Sequence, residues 1–335
     1  PVFWAGSIDE YLALLSMASV EAKKACAEVK IITNGMRTND MFHDDPQGVN
    51  LDKNIEKFLP NLEPLYQEVW LRGRDLEDRM LAQKGVYDIV DAGGNGSWHT
   101  TSSGYYRFVE SELKKFGVSA EIWDMESRCE PLLIPIKTTH AHMELGIPNG
   151  KKIIKWMKER LNRNHKSAVK WYRAEQARVV TKVVATRCAA GFEKLFIGMP
   201  IDWDKSIGAL SWGNPYMGFL NKAGEPWPAC HALRLLIREV DGYKTAAKVN
   251  APNGVEVVRF DFMDGRKPVW IAWIEDKHPR GMNDEIPAKT ILLKNVTGES
   301  AREIPLVDDQ TRNIPVSKDG GGISLSLSST PVLIK

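Results

Sequence analysis

Glu126 is the first residue of the sequence whose type and position favour a role in catalysis. It closes the stretch Ala120–Glu126, which is typical of a buried strand, and a polar loop follows. In a parallel α/β barrel, residues just past the carboxyl end of a strand lie at the mouth where chemistry is done. A carboxylate there can act as a nucleophile or in proton transfer. The alternative is that Glu126 is only the first solvated residue after a strand.

Three other patterns favour a functional site less strongly. The glycines of loop 93–99 lack the spacing of a dinucleotide fingerprint and no helix follows them directly, so they fit a tight turn better. His140 and His142 could share one face of a strand, but a metal site needs a third ligand nearby. The 4 cysteines are too widely spaced for a metal or disulfide pattern. The sequence therefore predicts no metal and no cofactor.

The elements that would position Glu126 alternate between strand and helix. A capping box at Ser7–Glu10 predicts a first helix, and helical periodicity predicts others further along the chain. Strands are predicted near 28–33, 87–92, 120–126 and 194–199, and helices near 8–25, 54–83, 102–116, 151–161, 166–190 and 228–240. The stretch 54–83 is expected to be interrupted near Pro60 and Pro64. Such alternation predicts a parallel sheet, and four strands make half of an eight-stranded barrel. An open four-stranded sheet covered on both faces is the alternative.

The period of the apolar residues changes from 3.6 to 2 after Gly254. Asp264–Gly265 is a hairpin signal, and five further strands are expected near 289–294, 302–307, 313–317, 322–327 and 331–334. A small β-sandwich is the simplest arrangement of these strands. The predicted organisation is thus α/β plus all-β, with an incomplete barrel at 1–245 and a β-sandwich at 250–335.

Composition and net charge limit the classes of binding partner that the sequence predicts. The chain has 335 residues, 43% of them hydrophobic and 26% charged, which is typical of a globular protein. A net charge of +2 does not predict nucleic-acid binding, and no apolar run reaches the roughly 18 residues of a membrane span. The 11 tryptophans would suit a carbohydrate, because an indole packs on the apolar face of a sugar. Since the first residue is Pro rather than Met, we expect the chain to begin inside a longer polypeptide.

Seven stretches, in their order along the chain, resemble parts of one enzyme family. They are Tyr11–Ile31, Tyr87–Asp91 with Trp98–His99 after it, Glu121–Glu126, Ala174–Arg178 with Ala189–Gly191, Pro226–Ala232, Pro268–Trp273 and Thr330–Ile334. The chain resembles the C-terminal half of a clan A retaining glycoside hydrolase. These enzymes are (β/α)8 TIM barrels, and β-xylosidase/iduronidase-like and cellulase-like members carry a C-terminal β-sandwich.

The resemblance implies that Glu126 is the nucleophile, because Ile122-Trp-Asp-Met-Glu126 is similar to the motif on the family's seventh strand. The family's acid/base is the Glu of an Asn-Glu pair that ends strand four. That pair would lie just before Pro1, so no residue of this chain inherits the acid/base role.

The resemblance also implies substrate-binding residues in the loops after the strands. Trp98 and His99 would contact the sugar or the nucleophile, and Trp203 would stack under the reactive sugar. Asn34, Asp202 and Asp204 could hydrogen-bond hydroxyls. The alternatives are core packing for the tryptophans and ordinary turn or loop solvation for the polar side chains.

Two rival functions remain open. Without a second carboxylate the chain could be a non-catalytic carbohydrate-binding or scaffold subunit. A half-barrel would also leave sheet edges unpaired, which favours a partner segment or chain carrying the other half. A metal-dependent hydrolase would rest only on His140 and His142. The sugar, the linkage, the compartment and the oligomeric state stay open.

Overall fold

A computed structural model describes most of the chain. The described residues are 6–33, 55–57, 59–61, 64–93, 102–127, 129–131, 133, 136–137, 144–145, 147–202, 215–276 and 280–335. The helices are α1 (Ile8–Ala25), α2 (Pro64–Leu81), α3 (Ser102–Phe116), α4 (Gly150–Lys158), α5 (His165–Ala190) and α6 (Pro228–Val240). In this part of the chain no helix combines the length and the apolar character that a membrane span requires.

The strands fall into parallel and antiparallel sheets. Strands β1 to β5 are Ile89–Asp91, Glu121–Ser127, Ile136–Lys137, Glu144–Leu145 and Lys194–Ile197. Strands β6 to β14 are Tyr243–Lys248, Val255–Phe262, Val269–Ile274, Lys289–Lys294, Ala301–Glu303, Asn313–Ile314, Val316–Asp319, Gly322–Leu327 and Val332–Ile334. The short strands β3 and β4 form a separate two-stranded antiparallel sheet.

The parallel sheet has the order β1-β2-β5, so β2 is its inner strand. Ile32 adds a parallel bridge to Ile89 on the other side of β1. The four predicted strand positions therefore lie side by side and parallel, as the alternation of strands and helices indicated, and they follow one another in chain order. The predicted Ser7–Glu10 capping box is formed at α1, and the predicted helix 166–190 is present as α5, followed by Gly191 with a φ of 112°.

One face of the parallel sheet is covered by helices. Ile122 of β2 belongs to an apolar cluster with Leu12 of α1, Leu81 of α2 and Phe108 of α3. Because successive side chains of a strand point to opposite faces, Trp123 lies on the other face. There its ring stacks on Phe196 of β5, which keeps 44% of its surface exposed.

The antiparallel strands form a six-stranded sheet, ordered β11-β10-β14-β8-β7-β6, and a three-stranded sheet, ordered β12-β13-β9. Val257 of the larger sheet and Leu325 of the smaller one share one apolar cluster, so the two sheets pack together. The next residue, Val258, instead belongs to a cluster with Val183 of α5 and Leu236 of α6. The larger sheet is thus buried on both faces, which explains why Val269–Ile274 is apolar throughout.

The interruption predicted near Pro60 and Pro64 is observed: a 3-10 turn spans Leu59–Asn61, and α2 begins at Pro64, where a proline is compatible with a first helical turn. Two other elements differ from the prediction. The strand expected over 302–307 ends at Glu303. Strand β6 was not predicted, because Tyr243–Lys248 lies at a sheet edge and lacks the apolar alternation of a half-buried strand.

Glu239 ties the end of α6 to the antiparallel sheet. Its side chain is 9% exposed and forms ion pairs with Arg302 of β10, Lys335 and Arg238. Burial alone would raise the pKa of this carboxyl, but the Lys335 and Arg302 cations outweigh burial and lower the pKa below its ordinary value. The ionised carboxylate is therefore the form that stabilises the fold.

Glu239→Gln is expected to lower the free energy of unfolding by about 1–3 kcal/mol at neutral pH, since a buried carboxylate and its charge-assisted hydrogen bonds to Arg302 and Lys335 are lost. A lowered folded-state pKa contributes stability above the unfolded-state value, and that contribution is lost as pH falls through the folded-state value. The variant and the parent should therefore converge as the solution is acidified below the ordinary glutamate pKa. Urea unfolding at several pH values measures this, with the exposed Glu299→Gln as the control. A constant difference at all pH values would contradict the account.

Candidate functional site

Glu126 lies at the carboxyl end of β2, where the parallel pairing is irregular. The register between β2 and β5 shifts between Asp124 and Ser127, which is the signature of a β-bulge. Glu126 is half-buried, and a Cβ placed on Gly198, just after β5, would be 3.9 Å from the Glu126 Cγ. The side chain of Glu126 thus stands at the end of the inner strand, beside a glycine that leaves room around it.

Asp124 is fully buried under the bulge and uses both carboxylate oxygens. Oδ1 accepts a hydrogen bond of 3.2 Å from the backbone N–H of Glu126, and Oδ2 accepts from the Ser127 hydroxyl and from the Arg187 guanidinium. Arg187, on α5, also donates to Ser127 Oγ at 2.7 Å. Burial raises the pKa of Asp124, and the Arg187 charge opposes that rise. Asp124 therefore links Glu126 to a helix behind the sheet.

Asp91 ends the neighbouring strand β1 and contacts the same bulge. Its Oδ1 accepts hydrogen bonds from the backbone N–H groups of Gly93 at 2.8 Å and Met125 at 3.1 Å. Burial raises the pKa of Asp91, and the negative charges of Asp124 and Glu126 add to the rise. Three carboxyl groups thus lie together at the carboxyl ends of two adjacent parallel strands.

Gly93 is required by this arrangement. A Cβ at this position would be 2.3 Å from Asp124 Oδ1 and 2.7 Å from the backbone nitrogen of Met125, both closer than van der Waals contact allows. Only a residue without a side chain lets the backbone after β1 approach the bulge this closely.

Gly93→Ala is expected to destabilise the protein by about 1–3 kcal/mol, because the added methyl group must displace the Asp124 carboxylate or the strand. Gly73→Ala is the matched control: Gly73 lies within α2, and a Cβ there meets nothing within 4 Å. That control should gain about 0.5–1 kcal/mol, the usual advantage of Ala over Gly in a helix. Thermal or urea unfolding of both variants measures the contrast, and equal stability of the two would contradict the account.

Asp202 lies beyond β5, and its carboxylate is bound by the protein itself. Arg173 of α5 donates to both oxygens, at 2.7 and 2.6 Å, and the pair is buried. The Trp227 indole N–H and the Gly218 backbone N–H complete the set at 3.0 Å each. These contacts favour a structural role for Asp202 over direct binding of a sugar hydroxyl.

The other predicted substrate-binding residues, Asn34, Trp98, His99, Trp203 and Asp204, lie outside the described residues, as do His140 and His142. Over the part of the chain that the structure describes, no group of His, Cys, Asp and Glu side chains could hold a metal ion. The four cysteines are free thiols, and Cys129 is buried.

Sequence reasoning missed Asp91, Asp124 and Arg187. A signal existed for Asp124, since an aspartate within an apolar strand must have a partner when buried. Arg187 gave a weaker one, because an arginine near the end of a helix is usually solvated. Neither signal identifies which residue is the partner, because 63 positions separate the two.

No family model and no curated protein sequence matches the chain. The solved structures that match the chain include two enzymes, an arabinofuranosidase and a xylanase. One is AbfB, a family 51 α-L-arabinofuranosidase from Bifidobacterium longum, with a TM-score of 0.52 and 9% identity over 98% of this chain and 63% of that protein. The other is the catalytic domain of GH30 xylanase C from Talaromyces cellulolyticus, with a TM-score of 0.35 and 12% identity over 78% of this chain and 67% of that one.

At 9% identity, the likeness to the arabinofuranosidase shows a shared fold. The chain spans less than two thirds of that protein's length.

Proposed function

We propose that this chain belongs to a retaining glycoside hydrolase that cleaves O-glycosidic bonds in oligo- or polysaccharides, with Glu126 as the nucleophile. The observation that carries the proposal is the place of Glu126 at the carboxyl end of the inner parallel strand, beside Asp91 and Asp124. Parallel α/β barrels use this end of the sheet for catalysis. The fold likeness to an arabinofuranosidase and the Ile-Trp-x-x-Glu motif support the same reading.

In this mechanism the Glu126 carboxylate attacks the anomeric carbon, and the bond to the leaving oxygen breaks with its electron pair. A second carboxyl group, about 5–5.5 Å away, protonates that oxygen and later activates the water that releases the sugar. We assign this acid/base to sequence outside the chain. Asp91 and Asp124 are not chosen for it, because each uses a carboxylate oxygen to bind a backbone amide at the bulge.

The outer elements of the parallel part carry apolar surface that favours a closed barrel. Helix α1, which leads into the strand position at Ile32, exposes Leu14, Met17 and Val20 by 47 to 61%, and β5 at the other edge exposes Phe196. We propose that an N-terminal half-barrel segment or chain covers these surfaces and completes a (β/α)8 barrel of which residues 1–245 form the C-terminal half. The antiparallel strands would then form the attached β-sandwich, which was predicted at 250–335 and which strand β6 extends to Tyr243.

The proposed substrate is a carbohydrate that the loops after the strands contact. Asn34, Trp98, His99, Trp203 and Asp204 are proposed to bind its hydroxyls or stack on its rings. Asp202, already paired with Arg173, would act by fixing the chain next to Trp203.

Turnover of aryl glycosides by the full-length protein tests this function. A panel that includes arabinofuranosides, xylosides and glucosides should contain at least one substrate, and its anomeric configuration should be retained in the first-formed product. EDTA should leave the rate unchanged. Binding of oligosaccharides without any turnover would instead support the non-catalytic carbohydrate-binding subunit.

A further inference from the structure

We propose that Arg187 is a positioning residue for Glu126 and acts through Asp124. The inference rests on the proposed function, because it concerns how the nucleophile is aimed. It goes further by giving a role in the reaction to a residue on α5, behind the sheet.

The β-bulge in β2 includes the backbone amide of Glu126. A bulge interrupts the regular ladder and leaves backbone amides that need other acceptors. Here the amides of Met125 and Glu126 are bound by the Asp91 and Asp124 carboxylates, at 3.1 and 3.2 Å. The direction in which Glu126 leaves the strand therefore depends on where these two carboxylates are fixed.

Arg187 and Ser127 hold the Asp124 carboxylate in place. The Arg187 guanidinium donates to both Asp124 Oδ2 and Ser127 Oγ, so it joins the residues on the two sides of the bulge. Arg187 is 4% and Asp124 0% exposed. The oxygen that accepts the Glu126 amide belongs to the same carboxylate, so a displacement of Arg187 is transmitted to the nucleophile's own backbone.

The Arg187–Asp124 pair could act on stability or on the placement of Glu126, and the energies of the two effects differ. A buried ion pair gives little net stability, because desolvation of the two charges offsets their attraction, and an apolar pair of similar size is often as stable. Attack on an anomeric carbon, by contrast, is sensitive to placement, and an error of about 1 Å can cost on the order of 100-fold in rate. The geometry therefore points to orientation of Glu126 as the main effect of the pair.

The positioning role is tested by the rate constant for covalent labelling of Glu126 with an activated glycoside. The probes are dinitrophenyl glycosides of arabinofuranose, xylose and glucose, in which fluorine replaces the hydroxyl next to the anomeric carbon. The carboxylate displaces dinitrophenolate, which leaves with its electron pair and needs no protonation. Fluorine then slows hydrolysis of the glycosyl-enzyme, so mass spectrometry can follow the label on the full-length protein.

Arg187→Lys and Arg187→Met should be labelled about 10–100 times more slowly than the parent, with Lys the less affected because it keeps the charge. Their KM for the corresponding substrate should change less than kcat. A smaller folded fraction lowers the amplitude of labelling and leaves the rate constant unchanged, so loss of stability alone cannot imitate the result. Arg178→Met is the matched control: Arg178 is also buried on α5, but it bonds to Thr330 and Glu175. It should be labelled at the parental rate.

The outcomes separate the two claims. If the parent is labelled at Glu126 and both Arg187 variants react at the parental rate, the positioning role is wrong and the proposed function stands. If the parent is labelled at another residue, or by none of the three probes, the proposed function and this inference are overturned together.

Discussion

Glu126→Gln in the full-length protein is expected to lower kcat for glycoside hydrolysis by more than about 10⁴-fold, the scale of loss when an enzyme's nucleophile is removed. Glutamine keeps the size and the hydrogen-bonding shape of the side chain, but its amide cannot attack the anomeric carbon. The hydrogen bond from the backbone N–H of residue 126 to Asp124 is kept in this variant, so the bulge should stay in place. Initial rates with the best aryl glycoside, together with urea unfolding, measure both effects.

Glu121→Gln is the matched control for this experiment. Glu121 lies on the same strand, and its carboxylate is 37% exposed, paired with Lys30 and accepting from the Trp123 indole. This variant should keep the parental kcat. A Glu126→Gln enzyme with normal turnover would remove Glu126 from the mechanism.

Arg173→Met is expected to cost about 3–5 kcal/mol of unfolding free energy, the usual loss when one member of a buried ion pair is removed. The change leaves the Asp202 carboxylate buried without its cation. It also removes hydrogen bonds to the Tyr216 and Gly218 carbonyls and the stacking of the guanidinium on Trp227, 4.2 Å from the ring centre. Urea unfolding at neutral pH measures the loss.

Two further variants test the cause of this loss. Arg238→Ala removes an exposed arginine whose partner Glu239 keeps Arg302 and Lys335, so the change should stay within about 0.5 kcal/mol. Adding Asp202→Asn to Arg173→Met should recover part of the stability, because it removes the uncompensated charge and keeps an oxygen that can accept from Gly218 or Trp227. A double variant less stable than Arg173→Met would show that the loss does not come from the buried charge.

The sequence was most informative where the physical cause is local. The Ser7–Glu10 box, the glycine after α5 and the apolar stretch before Glu126 each report on a few neighbouring residues, and the corresponding elements were predicted correctly. The parallel pairing of the strands was predicted as well, because strands that alternate with helices form parallel sheets.

The contacts that organise the site are not local, and sequence reasoning could not find them. Asp124 and Arg187 are joined only when α5 packs behind β2, and Arg173 reaches Asp202 only when the chain returns beyond β5. Strand β6 was missed for a related reason: it is stabilised by pairing with β7, and its own residues are largely exposed. In each case the partner decides the structure, and periodicity carries no information about the partner.

The long helix α5 contacts both the parallel and the antiparallel sheet, and this has an evolutionary consequence. Toward its end Arg187 contacts the bulge beneath Glu126, while Val180 and Val183 are buried in a cluster with Phe260 and Trp273 of the antiparallel sheet. The antiparallel strands therefore support, through α5, the carboxyl end of the parallel strands. Loss or replacement of the antiparallel strands would also require changes in α5. The two regions should therefore be inherited together during evolution.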